Sequence, residues 1–177
     1  MAIFKAGDEN DLDYVAIRDG GILIYRKLNY LEEDIQWLGK RNYRIHEFDC
    51  AAWTSEMVLH ESLKNSLSFP EYYGNNLDAL DEVIVEIEVP ESGGVAIVFR
   101  NYDAYPSASN TTPAGTRANQ AEIILGILSR ASHELLLTGK RFFTLIQSND
   151  PTMHYENLGC KAALWNWREW LLKDRGL

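Results

Sequence analysis

FPEYYGNNLDALDEVIVEIEVPE, residues 69–91, holds seven carboxylates (Glu71, Asp78, Asp81, Glu82, Glu86, Glu88 and Glu91) and no lysine, arginine or histidine. No base or histidine occurs anywhere between Lys64 and Arg100. The 177-residue chain has 26 acids against 17 bases, net −9; without this segment, 19 acids would face the same 17 bases. The order of residues inside the stretch dictates its local structure. Pro70 stops the preceding helix, and Tyr72, Tyr73 and Gly74 make a tight connection in which Gly74 is expected to take a positive φ. Asn76 is a good N-cap for a new helix. On that helix Leu77, Leu80 and Ile84 form the inward stripe, while Asp78, Asp81 and Glu82, at i, i+3 and i+4, share an outward face. Like charges at this spacing repel by about 0.2–0.5 kcal/mol per pair, partly offset by about 0.3–1 kcal/mol each from the helix dipole. A helix selected for its own stability would carry Lys or Arg at i+4. The acidic face is therefore either a plain solvated surface or a docking face for a basic partner, with one of the two tyrosines exposed beside it.

Outward from this segment, strand and helix patterns alternate. RIHEFDC (44–50) reads as a strand, and 55–67, with Leu59, Leu63 and Leu67 spaced by four, as a helix. VAIVF (95–99) and FFTLIQ (142–147) are short continuous apolar runs, the mark of strands buried on both faces. Residues 103–117, rich in Pro, Ser, Thr and Gly, predict an exposed mobile loop, and 119–138 a helix stopped by Gly139. At the start, YVAIRDGGILIYRK (14–27) predicts a β-hairpin turning at Asp19-Gly20-Gly21, followed by a short helix capped by Asn29 with Glu32 in its first turn. At the end, 156–173, carrying Trp165, Trp167 and Trp170, predicts a helix. The class is α/β with a small, mainly parallel sheet flanked by helices. One domain spans 1–177: a core of 43–149, a hairpin-and-helix addition over 1–42, and a helical addition over 150–177.

Composition excludes several function classes. A pI near 4.9 argues against direct nucleic-acid binding, which needs clustered Lys and Arg. No apolar run approaches the ~20 residues that span a bilayer, and MAIFKAGDENDLD has no signal-peptide pattern, so a cytoplasmic protein is expected. Cys50 and Cys160 stand apart, as free thiols in a reducing compartment do. His46, His60, His133 and His154 are scattered, and DENDLD (8–13) lacks the glycine and final Glu of a calcium loop, so neither a metal nor a cofactor is expected.

The motif PEYYGNNLDALDE resembles the signature of the barstar family, intracellular inhibitors of barnase-type ribonucleases. Residues 70–80 match every specified position of the family pattern Pro-Glu-Tyr-Tyr-Gly-x-Asn-Leu-Asp-Ala-Leu-Trp-Asp, and a looser likeness runs over about 44–148. The resemblance implies a three-layer fold and a non-enzymatic role: an immunity or antitoxin protein that plugs the active site of a basic, secreted or toxin ribonuclease. It places Tyr72, Tyr73, Gly74, Asn76, Leu77 and Asp78 at the binding edge. Glu82 stands for the family's key acid, Asp81 replaces the tryptophan before it, and Glu134 offers an acid from the later helix. Arg130 lies one turn before Glu134. Two alternatives stay open: a barstar-like scaffold without a ribonuclease target, and a hydrolase using Asp78 and Glu82 as a carboxylate pair.

Overall fold

Strands β1 (Ile22–Tyr25), β2 (Arg44–Asp49), β3 (Val95–Arg100), β4 (Phe142–Gln147) and β5 (Leu164–Trp165) form one sheet in the order β2-β3-β4-β1-β5, every pair parallel. The computed structural model describes residues 3–105, 120–156, 158–159 and 161–177 of the chain. Side chains alternate across the central strands because successive Cβ atoms point to opposite faces. Ile22, Ile24, Val95, Ile97, Phe99, Phe142 and Ile146 pack in one core with helices α3 (Glu56–Leu67), α4 (Leu77–Val83) and α5 (Gln120–Leu137). Leu23, Tyr25, Ala96, Val98, Phe143 and Leu145 pack in a second core with α1 (Leu12–Arg18) and α2 (Leu28–Lys40). The result is the expected α/β three-layer architecture, with β3 and β4 buried along almost their whole length because both of their faces are covered.

The two ends differ from the expected hairpin and helix. Residues 12–18 are helical, with Asp13, Ala16 and Ile17 buried at helical spacing. Gly20 (φ 107°) and Gly21 (φ 82°) close that helix: Gly21 N–H bonds Ala16 O at 2.8 Å and Gly20 N–H bonds Ile17 O at 3.2 Å. This is the double bond of a Schellman helix stop, which uses the same positive-φ glycines as a hairpin turn. The chain then enters β1 parallel to β4, and a Cβ at Gly21 would lie 2.5 Å from the Ser132 side chain on α5. Helix α2 begins at Leu28 rather than after Asn29. Its N-terminal end is served from far along the chain, where the buried Glu169 carboxylate accepts the N–H groups of Arg26 (3.1 Å) and Lys27 (2.9 Å). Glu169 sits there because the described residues of 156–173 form no α-helix. Residues 164–165 instead pair with the open edge of β1, and Asn166 N–H continues the ladder to Ile24 O at 2.9 Å. An exposed parallel edge with unpaired backbone groups outweighs a modest helical pattern.

Cys50 is a buried free thiol, whereas Cys160 lies outside the described residues. The predicted loop 103–117 is described only at its start. There Tyr105 is buried against Trp53 (ring centroids 5.5 Å apart) and is not exposed as expected; 106–117 lie outside the described residues. In the acidic run 8–13, Asp13 is buried, accepting from Tyr43 Oη at 2.6 Å and facing Arg141 at 3.0 Å.

We propose that the additions 1–42 and 150–177 and the core 43–149 make one folding unit. From the core, the second face shows Val98, Phe143 and Leu145, and the apolar residues packed over them include Leu31 and Leu38 of α2 and Ile17 of α1. Leu38→Ala should cost about 2–5 kcal/mol of total stability. It should lower, to the same extent, the urea midpoint of far-UV circular dichroism and the hydrogen-exchange protection of β3 amides. Unchanged β3 protection would show that 1–42 is a separate unit.

Candidate functional site

Helix α3 ends at Ser68, in the left-handed region (φ 55°), and Phe69 turns into the core. Pro70 O accepts Tyr73 N–H at 3.0 Å, so 70–73 is a closed turn. The turn divides the two tyrosines. Tyr73 is 4% exposed, its ring 5.0 Å from Phe69 and its hydroxyl hydrogen-bonded to Nδ1 of the buried His60. Tyr72 is 73% exposed and donates to Glu86 Oε2 at 3.1 Å, a bond that holds its hydroxyl pKa above the usual phenol value. Tyr73 therefore supports the loop from beneath and is not at the exposed edge where the resemblance placed it. The positive φ expected at Gly74 falls on Asn75 (φ 50°), a residue type that tolerates the left-handed region. At Gly74 itself a Cβ would lie 3.2 Å from Asn76 Nδ2, which donates to Gly74 O, so a side chain there would press on the cap residue. Asn76 caps α4 as expected, its Oδ1 accepting Ala79 N–H at 2.8 Å.

On α4, Leu80 and Val83 point inward, Leu77 is half-buried, and Asp78 and Glu82 are exposed. Asp81 differs from its neighbours. Arg130 on α5 donates from Nε to Asp81 Oδ1 at 2.9 Å and from Nη2 to Asp81 O at 2.8 Å, and its Nη1 pairs with Glu134 one turn on. One guanidinium thus pins α4 to α5 and occupies two of the acids assigned to the binding face. A second departure from the base-free reading is Glu88, which pairs with Arg44 at 3.2 Å. Among the described residues, Glu71, Asp78, Glu82, Glu86 and Glu91 are left without an ion pair. Asp78 and Glu82, separated by one turn of α4, form an acidic ridge beside the exposed Tyr72. Behind Tyr72 runs a groove of about 520 Å³ walled by Phe69, Val83, Ile87, Glu86, Arg44 and His46.

His60 is the residue that sequence reading passed over. It lies at i+1 from Leu59, inside the buried stripe of α3, and is itself 0% exposed. Its Nε2 has no hydrogen-bond partner among the described residues and faces Glu56 Oε1 at 3.7 Å. Burial lowers its pKa, against the opposing pull of Glu56.

Residues 43–147, more than half of the chain, match the family model described as "Barstar (barnase inhibitor)". A Bacillus subtilis (strain 168) protein named "Putative ribonuclease inhibitor YrdF" is 34% identical over 79 residues, covering 44% of this chain and 74% of that protein. Among solved structures, a chain in "Structure of Drosophila ORC bound to AT-rich DNA and Cdc6" superposes with a TM-score of 0.47 at 15% identity, over 77% of this chain and 42% of that one. A likeness at that level says nothing about function.

Because burial depresses the His60 pKa below its unfolded value of about 6.5, folding favours the neutral ring. That contribution is fully present above the unfolded pKa and is lost as pH falls through it toward the folded value. Urea unfolding of the wild type between pH 7.5 and 5.5 should show stability falling with pH, and His60→Gln should flatten that slope. An equal slope in the variant would place the titration elsewhere, with His46, whose pKa is also lowered by burial, the next group to replace.

Proposed function

The chain belongs to the Barstar (barnase inhibitor) family, and on that premise we propose that it inhibits a basic ribonuclease by blocking its active site with α4 and the Tyr72 loop. The observation that carries this reading is the selective pairing of the acids. Arg130 and Arg44 take up Asp81, Glu134 and Glu88, while Asp78 and Glu82 stay exposed beside Tyr72, without an ion pair among the described residues. A ribonuclease active site is cationic because it binds phosphates, and carboxylates on a rigid helix imitate those phosphates. Tyr72 adds contact area at low entropy cost. The name of the Bacillus subtilis relative supports the same role.

The role proposed is that of a cytoplasmic immunity protein, neutralising a secreted or toxin ribonuclease inside the cell that makes it, without touching nucleic acid itself. No helix among the described residues is long and apolar enough to cross a membrane. A carboxylate-dependent hydrolase fits less well. Such chemistry wants an acid held out of water, and Asp78 and Glu82 are both exposed on a surface helix.

Asp78→Ala and Glu82→Ala should each weaken binding to the inhibited ribonuclease by about 2–5 kcal/mol, because each strands a cation of the partner at the interface. Both should leave thermal stability within about 1 kcal/mol. Tyr72→Ala should weaken binding with little dependence on salt, and Glu88→Gln should change mainly the association rate. Calorimetric titration at low and high salt, against barnase-type ribonucleases that the wild type inhibits, reads the first three, and stopped-flow mixing with the same ribonucleases reads the association rate of Glu88→Gln. Wild-type affinity in both acid variants would reduce the ridge to a solvated surface. RNA turnover by the purified protein that vanished with Asp78→Ala would favour the hydrolase.

A further inference from the structure

A second groove, of about 500 Å³, opens on the side of the sheet that α1 and α2 cover, away from α3, α4 and α5. Its walls come from α1, α2, β5 and the turns after β5, and none of its lining residues falls within the family-matched segment 43–147. Leu12, Val15, Leu23 and Leu164 supply apolar surface. Around them stand four of the chain's five tryptophans, Trp37, Trp165, Trp167 and Trp170. Local structure sets the last two side by side. Asn166 is buried, and its Oδ1 accepts Arg168 N–H at 3.0 Å, capping a 3₁₀ turn over Trp167–Glu169. Residues three apart eclipse on such a turn, so both indoles leave the chain on the same side. Trp167 is 78% exposed and Trp170 56%. Tryptophan is ordinarily well covered, and its exposure at the lip of a groove marks a contact surface.

The charges of the lining exclude an ionic ligand. Asp11 pairs with Arg41 at 3.2 Å, Asp19 with Arg18 at 2.6 Å and Asp34 with Arg168 at 2.5 Å, so the acids and bases at the groove balance. A cationic head group is opposed a second time. Trp37, Trp165 and Trp167 already face the guanidinium groups of Arg41, Arg175 and Arg168, at 3.8, 4.4 and 5.8 Å from the ring centroids. Of the uncharged polar side chains, Asn166 is spent on its cap and Asn10 stands at the exposed rim. The four indole N–H groups have no hydrogen bond among the described residues, and an indole N–H can only donate. The ligand that fits is uncharged, presents flat apolar rings, and offers acceptors rather than donors. A proline-rich segment has that chemistry: a ring and a carbonyl acceptor at every proline, and no N–H. Its polyproline II backbone is already extended, so docking on an aromatic groove orders little that was free. We propose that this groove binds a proline-rich segment of another protein, with prolines packed against Trp167 and Trp170 and the indole N–H groups donating to its carbonyls. This chain cannot supply the segment, since its five prolines, at 70, 90, 106, 113 and 151, are all isolated. The site is separate from the acidic ridge and does not rest on the inhibitor reading.

The test titrates the full, isotope-labelled chain with acetyl-decaproline amide and follows the indole N–H resonances, assigned from Trp→Phe variants. The Trp167 and Trp170 signals should shift saturably, while that of Trp53, buried in the other core, stays in place. A glycine–serine peptide of the same length should move none of them. Trp167→Ala should keep the wild-type melting temperature and bind decaproline at least about tenfold more weakly. Trp167→Phe, which keeps a ring but loses the donor, should fall between the two. Should Trp167→Ala melt early, Trp170→Ala takes its place, with the same loss expected. No saturable shift, or an equal response to the glycine–serine peptide, overturns the proposal. So does a sedimentation mass that rises with concentration and returns to that of one chain in Trp167→Ala, which makes the groove an interface between copies. Against a ribonuclease that the wild type inhibits, Trp167→Ala should inhibit equally well; lost inhibition would put the groove in that interface and overturn the separate site.

Discussion

The structure depends on the parallel pairing of β1 with β4, which puts the first strand of the chain inside the sheet between β4 and β5. Strands β3 and β4 are apolar on both faces, and a parallel sheet of that kind is stable only when both faces are covered. α3, α4 and α5 cover one face. The β1 pairing brings α1 and α2 over the other. It also creates a new edge at β1, which β5 closes, and the turns after β5 deliver Glu169 to the backbone at the start of α2. Each added element answers a hydrogen-bonding or burial demand left by the one before it.

The same framework makes the site rigid where it needs to be. Tyr73 and His60 anchor the loop into the core, the Asn76 cap fixes where α4 begins, and Arg130 ties α4 to α5 through Asp81. On this braced base Asp78 and Glu82 stand exposed without an ion pair among the described residues, beside the exposed ring of Tyr72. In the proposed complex, preorganisation of this kind would lower the ordering cost of association. Pairing the neighbouring acids also limits the like-charge repulsion that seven carboxylates in one segment would otherwise bring to the folded state.

Local signals in the chain were enough to identify several elements. Asn76 caps the helix it was expected to cap, because an N-cap is a contact across three residues. The runs 95–99 and 142–147 lie in buried strands because uninterrupted apolar runs have no other stable place. The motif at 70–82 was also legible, since its meaning is carried by residue order alone, and it identified the family and the acidic helix. Other features were decided only by the tertiary structure. Gly20 and Gly21 serve a helix stop as readily as a hairpin, and the open edge of β4 settled which. Which of Tyr72 and Tyr73 faces solvent depended on a partner, His60, thirteen residues away. Asp81 and Arg130 meet across 49 residues, and Glu169 reaches Lys27 across 142. Charge pairing and edge pairing act between surfaces that come together only when the sheet is assembled, so composition could show where acid accumulates but not which carboxylates stay free to bind.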